Sequence, residues 1–139
     1  MEREVERQNK AYVTGVGMVP FQKPGKSESY DVMAAAATRA ALADAGLDYD
    51  KVQQAYVGYV YGDSTCGQRS LYHVGMTGIP VLNVNNNCST GSSALFLARH
   101  AVDSGAAECT LDLGFKQMQP AAIGAMFHLR VSPFAASAE

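Results

Sequence analysis

The chain has 139 residues, of which 47% are hydrophobic and 17% are charged, a composition typical of one soluble globular domain with a substantial core. The formal net charge of −2 provides no basic surface for nucleic acid or an anionic membrane. No apolar run approaches the roughly 20 residues that span a bilayer, and the mixed-charge N-terminus does not resemble a secretory signal. Three widely spaced cysteines favour a reducing, intracellular compartment over a disulfide framework.

The first third of the chain predicts a strand followed by a helix. Residues 1–10 are predicted to be a disordered lead-in, and the apolar residues 11–17 are predicted to form a buried strand rich in β-formers. A loop rich in Pro, Gly and Ser follows. Residues 30–45 are nearly saturated with alanine and end at Gly46, which predicts a helix with a glycine stop whose small side chains allow close packing against a sheet.

The rest of the chain alternates between strand and helix patterns. Residues 55–61, 80–84 and 109–115 are predicted to be strands, because they form short apolar runs bounded by turn residues. A short helix is predicted at residues 68–74, and the apolar spacing in residues 92–104 predicts a longer one. This order predicts an α/β fold with a mainly parallel sheet flanked by helices.

Two common ligand signatures fail on inspection. Gly15 and Gly17 form a Gly-x-Gly pair after the first predicted strand, but the third glycine of the dinucleotide-binding pattern is replaced by Pro20. A tight exit from the strand is the better interpretation. The cysteines and histidines show no CxxC, no HxxxH and no close Cys/His pair, so the sequence predicts no metal site.

Cys88 is the candidate nucleophile, because it lies where a short predicted strand passes into a helix. The first turn of a helix offers unpaired N–H groups and the positive end of the helix dipole, which favour a thiolate and can stabilise an oxyanion. Gly91 and neighbouring small residues leave room for a substrate. On residue chemistry alone, a buried structural cysteine remains the alternative, because no base is evident nearby in the sequence.

A family resemblance extends from about Tyr12 to Phe115. Residues 83–92, with the sequence NVNNNCSTGS, resemble the segment around the acylated cysteine of thiolases. Residues 57–69 (VGYVYGDSTCGQR) and 75–80 (GMTGIP), with VGM at 16–18, resemble the sterol carrier protein x type of lipid-transfer thiolase. The resemblance implies a thiolase-like N-terminal half-fold, present only in part, with a partial domain at residues 11–127.

The resemblance also implies an activity. In thiolases a cysteine at the position of Cys88 accepts an acyl group from acyl-CoA, and the thioester is then attacked by a carbanion or by free coenzyme A. The expected function is therefore that of an acyl-CoA C-acyltransferase (3-oxoacyl-CoA thiolase) in fatty acid or sterol side-chain metabolism. The substrates are coenzyme A thioesters, no separate cofactor is expected, and the location is peroxisomal in a eukaryote or cytoplasmic in a bacterium.

Only Cys88 can be assigned as catalytic from the resemblance. The family's histidine base, its second cysteine and a glycine-rich loop belong to the C-terminal half, so the chain is expected to be truncated and inactive alone. Cys66 and His73 are possible but disfavoured substitutes. Two other functional interpretations are a non-catalytic module that pairs with a full-length thiolase subunit, and a ketosynthase-like condensing enzyme. A homo-oligomer is also expected, as is association through the surface meant for a second half.

Two features depart from the family pattern. Asp112 lies inside the last predicted strand, where relatives tend to have a small apolar residue. A carboxylate buried there would cost several kcal/mol unless protonated or paired; a shifted or partly exposed strand is an equally good explanation. Residues 128–139 are predicted to be an atypical tail.

Overall fold

The computed structural model describes residues 10–118 of the chain. The predicted tail and all but the last residue of the predicted lead-in lie outside these residues. The described elements are α1 (Tyr30–Ala45), β1 (Gln54–Val60), α2 (Cys66–Tyr72), β2 (Val81–Val84), α3 (Thr90–Asp103) and β3 (Thr110–Lys116), with single 3₁₀ turns at Tyr49–Lys51 and Asn87–Ser89.

The three strands form a parallel sheet in the order β2-β1-β3. Ala55 of β1 is paired with Val81 on one side and with Leu111 on the other. The central strand β1 is almost entirely buried, which explains why its sequence is nearly continuously apolar instead of alternating. The prediction of an α/β fold with a mainly parallel sheet is confirmed.

Helices cover both faces of this sheet. Helices α1 and α2 pack on one face, and α3 packs on the other. The first face is filled by aromatic and branched side chains, namely Tyr30, Val52, Val57, Leu71, Leu111, Leu113 and Phe115. The second face has mostly small residues, namely Tyr56, Ala94, Ala98, Ala101 and Ala107, so α3 approaches the strands closely. No helix within residues 10–118 is long and apolar enough to cross a bilayer.

Helix α1 has the bounds that its sequence predicts. The alanine run favours a helix, and Gly46 ends it in the left-handed conformation at φ 63°. The N–H groups of Gly46 and Leu47 donate to Ala43 O and Leu42 O, so two of the last four carbonyls of the helix are satisfied. The predicted elements after α1 are also present, with ends shifted by one or two residues.

The predicted first strand is wrong. Residues 11–17 form neither helix nor strand, because no described strand pairs with them. Their N–H groups use side chains instead: Ala11 N donates to Asp103 Oδ1 at 3.0 Å, and Val16 N donates to Asp44 Oδ2 at 2.9 Å. The Gly-x-Gly pair is also not a strand exit. A Cβ on Gly15 or Gly17 would lie 2.3–2.5 Å from backbone atoms of α1, so both glycines allow this segment to cross the helix.

Candidate active site

Cys88 lies at the edge of the sheet where parallel strands present their C-terminal ends. It follows β2 after three asparagines, occupies the 3₁₀ turn Asn87–Ser89 and precedes the first residue of α3 by two positions. Ligand sites of open parallel α/β sheets form at this edge. The thiol is exposed, so the alternative of a buried structural cysteine is wrong.

The residues from Asn85 to Thr90, here called the nucleophile turn, are tied to the elements around them. Asn85 Nδ2 donates to Tyr59 O near the end of β1 at 3.2 Å. Asn86 Nδ2 donates to Ser93 Oγ on α3 at 2.8 Å. Asparagine side chains satisfy backbone groups that a short irregular loop leaves unpaired, and they fix its path.

Asn87 gives the turn its sharpest change of direction. Its φ is 50°, in the left-handed region that asparagine tolerates better than most residues. The Cys88 thiol lies 3.8 Å from Asn87 Oδ1, a distance appropriate for a weak hydrogen bond to sulfur. Among the described residues, the side chain of Asn87 therefore provides a polar group that faces the Cys88 sulfur.

The start of α3 is pressed directly onto the sheet. A Cβ on Gly58 of β1 would lie 2.6 Å from the carbonyl oxygen of Thr90, and a Cβ on Gly114 of β3 would lie 3.4 Å from the Cα of Gly91. Glycine is needed at position 58 because any side chain would push the helix start outward. These contacts determine how far the first turn of α3, and with it Cys88, stands above the strand ends.

The two disfavoured substitutes for a catalytic partner lie elsewhere. Cys66 is fully buried and its Sγ lies 3.7 Å from Asn83 Oδ1. Burial raises the pKa of the Cys66 thiol, which opposes thiolate formation. In the described part of the chain neither His73 nor His100 forms a hydrogen bond with Cys88; the His100 ring stacks on Phe96 instead.

His73 belongs to an ionic cluster between α1 and α2. Its Nε2 is 2.9 Å from Asp31 Oδ2, and Arg69 Nε is 3.6 Å from the same oxygen. Hydrogen bonds from Ser29 and from His73 lower the pKa of Asp31 to about 2. The cluster lines a cleft of about 670 Å³ that does not include Cys88, formed by Asp31, Thr65, Gln68, Arg69, Tyr72 and His73.

The described residues contain no group of three or more His, Cys, Asp or Glu side chains that could hold a metal ion. The remaining thiol, Cys109, is half-buried at the start of β3, and burial raises its pKa. Cys66, Cys88 and Cys109 are all free thiols.

The structure shows whether Asp112 is buried within the last strand or whether that strand is shifted or partly exposed. The strand is not shifted: Asp112 is paired with Tyr56 in the parallel register, and it is exposed. Desolvation by its surroundings nevertheless raises the pKa of Asp112 to about 6. The exposed-strand explanation is therefore correct for the described residues, and the carboxylate still carries an electrostatic penalty.

Sequence reasoning missed two residues that organise this edge of the sheet. Asn83 on β2 accepts the Gly67 N–H at 2.7 Å and donates to Gln68 Oε1 at 2.7 Å, so it fixes the start of α2. Thr90 fixes the nucleophile turn. The sequence signal for Asn83 was a polar residue within a short apolar strand, and that for Thr90 was a hydroxyl at the first position of a helix.

Comparisons with known proteins agree with this geometry. Residues 10–137 match the family model for the thiolase N-terminal domain. The chain is 54% identical over 127 residues to sterol carrier protein 2 of Oryctolagus cuniculus, a match that covers 89% of this chain and 23% of that protein. The fold resembles acetyl-CoA acetyltransferase from Syntrophomonas wolfei, with a TM-score of 0.65 and 20% identity over 71% of this chain and 27% of that one.

It equally resembles 3-oxoacyl-[acyl-carrier-protein] synthase III from Aquifex aeolicus, with a TM-score of 0.62 and 20% identity over 69% of this chain and 32% of that one. The fold alone therefore defines a thiolase-like α/β class without separating thiolases from condensing synthases. The family match and the 54% identity make that separation: the chain belongs to the thiolase family and matches its N-terminal domain. It spans 23% of the length of the sterol carrier protein 2 relatives.

Proposed function

We propose that the chain provides the acyl-accepting N-terminal portion of a 3-oxoacyl-CoA thiolase of the sterol carrier protein x type, with Cys88 as the nucleophile. The observation that carries the proposal is an exposed thiol at the C-terminal edge of the parallel sheet, directly before α3, in a thiolase N-terminal domain. Acyl-CoA substrates follow from the family, and fatty acid or sterol side-chain metabolism follows from the similarity to sterol carrier protein 2.

The proposed step is a thioester exchange. The Cys88 sulfur attacks the carbonyl carbon of acyl-CoA, a bond between that carbon and the Cys88 sulfur forms, and the bond to the coenzyme A sulfur breaks. Coenzyme A leaves with the proton that the Cys88 thiol gives up, so atoms and charge balance. The N–H groups at the start of α3 suit the transient oxyanion.

We expect this step to be slow and not to be followed by turnover in the 139-residue chain. Within residues 10–118 the Cys88 thiol bonds to Asn87 Oδ1 and not to a histidine, so no histidine is in place there to take its proton. The family's base and second cysteine belong to the C-terminal half. In a complete thiolase context the acyl-cysteine would then undergo thiolysis or Claisen condensation.

The test uses acetyl-CoA and a branched-chain acyl-CoA with the purified chain. We expect a mass gain of one acyl group on Cys88, stoichiometric release of coenzyme A, and no thiolysis of a 3-oxoacyl-CoA. Cys88→Ser should abolish the labelling, whereas the matched control Cys109→Ser should retain it. Labelling that survives Cys88→Ser would contradict the nucleophile assignment, and sustained Cys88-dependent thiolysis would contradict the expectation of no turnover.

A second candidate function is a non-catalytic module that pairs with a full-length thiolase subunit. The observation in its favour is that β2, the strand leading to the nucleophile turn, pairs on only one side within the described residues. Its Leu82 is 43% exposed. Co-expression with an intact thiolase should then give a heteromeric complex. A Leu82→Lys variant should weaken it, with Leu47→Lys, also exposed but outside the strand, as the matched control.

The proposed location follows from the same similarity. A peroxisomal setting is proposed for a eukaryotic source, and a cytoplasmic setting for a bacterial one, because acyl-CoA chemistry and free thiols both suit a reducing compartment.

A further inference from the structure

Thr90 is nine-tenths buried, and its hydroxyl lies where three chain segments meet. The Oγ1 atom is 2.9 Å from Val84 O at the end of β2 and 3.3 Å from Tyr59 O near the end of β1. It also lies 2.9 Å from the N–H of Asn86, which donates to it. The residue is 5% exposed, so this hydroxyl is shielded from competing water.

These bonds use the single proton of the hydroxyl and one of its two acceptor lone pairs. Thr90 Oγ1 has one proton, which the shorter distance assigns to Val84 O, and it accepts the proton of Asn86 N–H. Tyr59 O, at 3.3 Å, is the weaker of the two possible acceptors for this proton. One side chain thereby connects the end of a strand, the entry to the nucleophile turn and the first residue of α3.

The consequence for Cys88 is geometric. Asn86 stands two residues before the cysteine and Thr90 two residues after it, and the bond between them closes the intervening segment into a small ring. A second bond within that ring, Ser89 N to Asn86 O at 3.1 Å, tightens it. The Thr90 hydroxyl therefore closes the segment that carries the sulfur.

We propose that Thr90 is a positioning residue for the Cys88 nucleophile and that its hydroxyl holds the thiol in the orientation required for acyl transfer. This inference rests on the proposed function and deepens it, because the family resemblance assigned Cys88 alone. Thr90 does not touch the sulfur and acts through the path of the backbone.

The Thr90 side chain also packs, so its two roles have to be separated. A Cβ built on Gly58 would lie 3.0 Å from the Thr90 methyl carbon, which shows that the methyl group lies close against β1. Thr90→Val keeps the branched shape and removes the hydroxyl. Thr90→Ser keeps the hydroxyl and removes the methyl group, so it is the matched control.

The experiment measures the rate of Cys88 alkylation by iodoacetamide from pH 6 to pH 10, together with acylation by acetyl-CoA and the fraction folded. We expect Thr90→Val to react about tenfold more slowly at each pH, while most of the protein remains folded. Thr90→Ser should stay within about twofold of the natural chain in both reactions.

Equal rates in Thr90→Val and the natural chain would overturn the inference, as would a loss in both variants that follows the unfolded fraction. If Thr90→Val does not fold, amide hydrogen exchange of the natural chain decides: the Asn86 N–H should be protected, and exchange at the rate of an open amide would overturn the proposal. Alkylation needs no acyl-CoA, so a chain that is alkylated at Cys88 but never acylated contradicts the proposed function separately.

Discussion

Cys66 and Cys88 occupy equivalent places in the topology and have opposite properties. Each follows a parallel strand and stands where the next helix begins, Cys66 as the first residue of α2 and Cys88 two residues ahead of α3. Cys66 is fully buried and hydrogen-bonded toward Asn83, whereas Cys88 is exposed beside Asn87. The difference shows that a strand–helix junction alone does not determine whether a thiol is accessible. Cys88 lies in the 3₁₀ turn Asn87–Ser89 ahead of α3 and is exposed, whereas Cys66 lies in the first turn of α2 and is buried.

The largest effect that tests this comparison is thiol reactivity. In the folded chain Cys88 should react with iodoacetamide on the order of a hundredfold faster than Cys66, because burial both blocks access to Cys66 and raises its pKa. Mass analysis of labelled peptides over time measures the two rates. In concentrated urea the rates should converge, and similar rates in the folded chain would remove the contrast.

A larger side chain at Gly58, beneath the start of α3, should destabilise the region that carries Cys88. Gly58→Ala places a methyl group 2.6 Å from Thr90 O, and we expect the free energy of unfolding to fall by about 1–3 kcal/mol because the helix start must move. Gly91→Ala is the matched control, since a Cβ there meets nothing within 4 Å. Denaturant unfolding measures both, and an equal cost in the two variants would exclude the close contact as the cause.

Loss of the Asp31 charge from the ionic cluster should destabilise α2, the helix that begins at Cys66. Asp31→Asn removes the charge that holds Arg69 and His73 of the α2 region, so we expect about 1–2 kcal/mol of stability to be lost at pH 7 and the labelling of Cys66 to accelerate. Asp50→Asn, an exposed carboxylate 3.8 Å from Lys51, should cost less than about 0.5 kcal/mol.

The pH dependence of the Asp31 effect has a definite sign. The folded pKa of Asp31 is lowered to about 2 from an ordinary value of 3.8, so its contribution to stability is complete above pH 4 and is lost as the pH falls through 2. The difference between the natural chain and Asp31→Asn should therefore narrow below pH 4. A constant difference down to pH 2 would contradict the assignment.

The smallest expected effect is at Asp112, on the face that carries α3. Its folded pKa is raised to about 6, so the folded chain binds a proton more readily than the unfolded one, and stability falls as the pH rises from about 4 to 6. Asp112→Asn should be more stable at pH 7 by less than about 1 kcal/mol, because the side chain is exposed and screened. Thermal unfolding at pH 3.5 and pH 7 measures this, and a less stable Asp112→Asn at pH 7 would contradict it.

The sequence predicted those parts of the fold that depend on local information. The alanine run ending at Gly46 was sufficient for the bounds of α1, and the motif around Cys88, together with residues 57–69 and 75–80, was sufficient for the family. The role of Cys88 as the nucleophile stays a prediction. The failure at residues 11–17 has a physical cause. A strand exists only with a hydrogen-bonded neighbour, and β-propensity says nothing about whether the neighbour is there.

The site residues that the sequence did not reveal depend on contacts between distant segments. Asn83 accepts the N–H of Gly67, 16 positions earlier. Thr90 bonds to Val84 O and to the N–H of Asn86, and its hydroxyl also lies near Tyr59 O, 31 positions earlier. Serine and threonine hydroxyls bond to whatever backbone group lies within reach. Their partners are therefore known only once the strand ends have been placed.

The described sheet has two open edges, one at each outer strand. Within residues 10–118, β2 and β3 each have one side without a strand neighbour, so each offers a row of backbone donors and acceptors. A protein with one open strand edge can form a dimer through that edge and no larger assembly. A protein with two open edges can bind a further copy at each edge and so form a chain of subunits. If either edge is covered, by a further strand or by another subunit, only one edge is left for association and a complex of fixed size is expected.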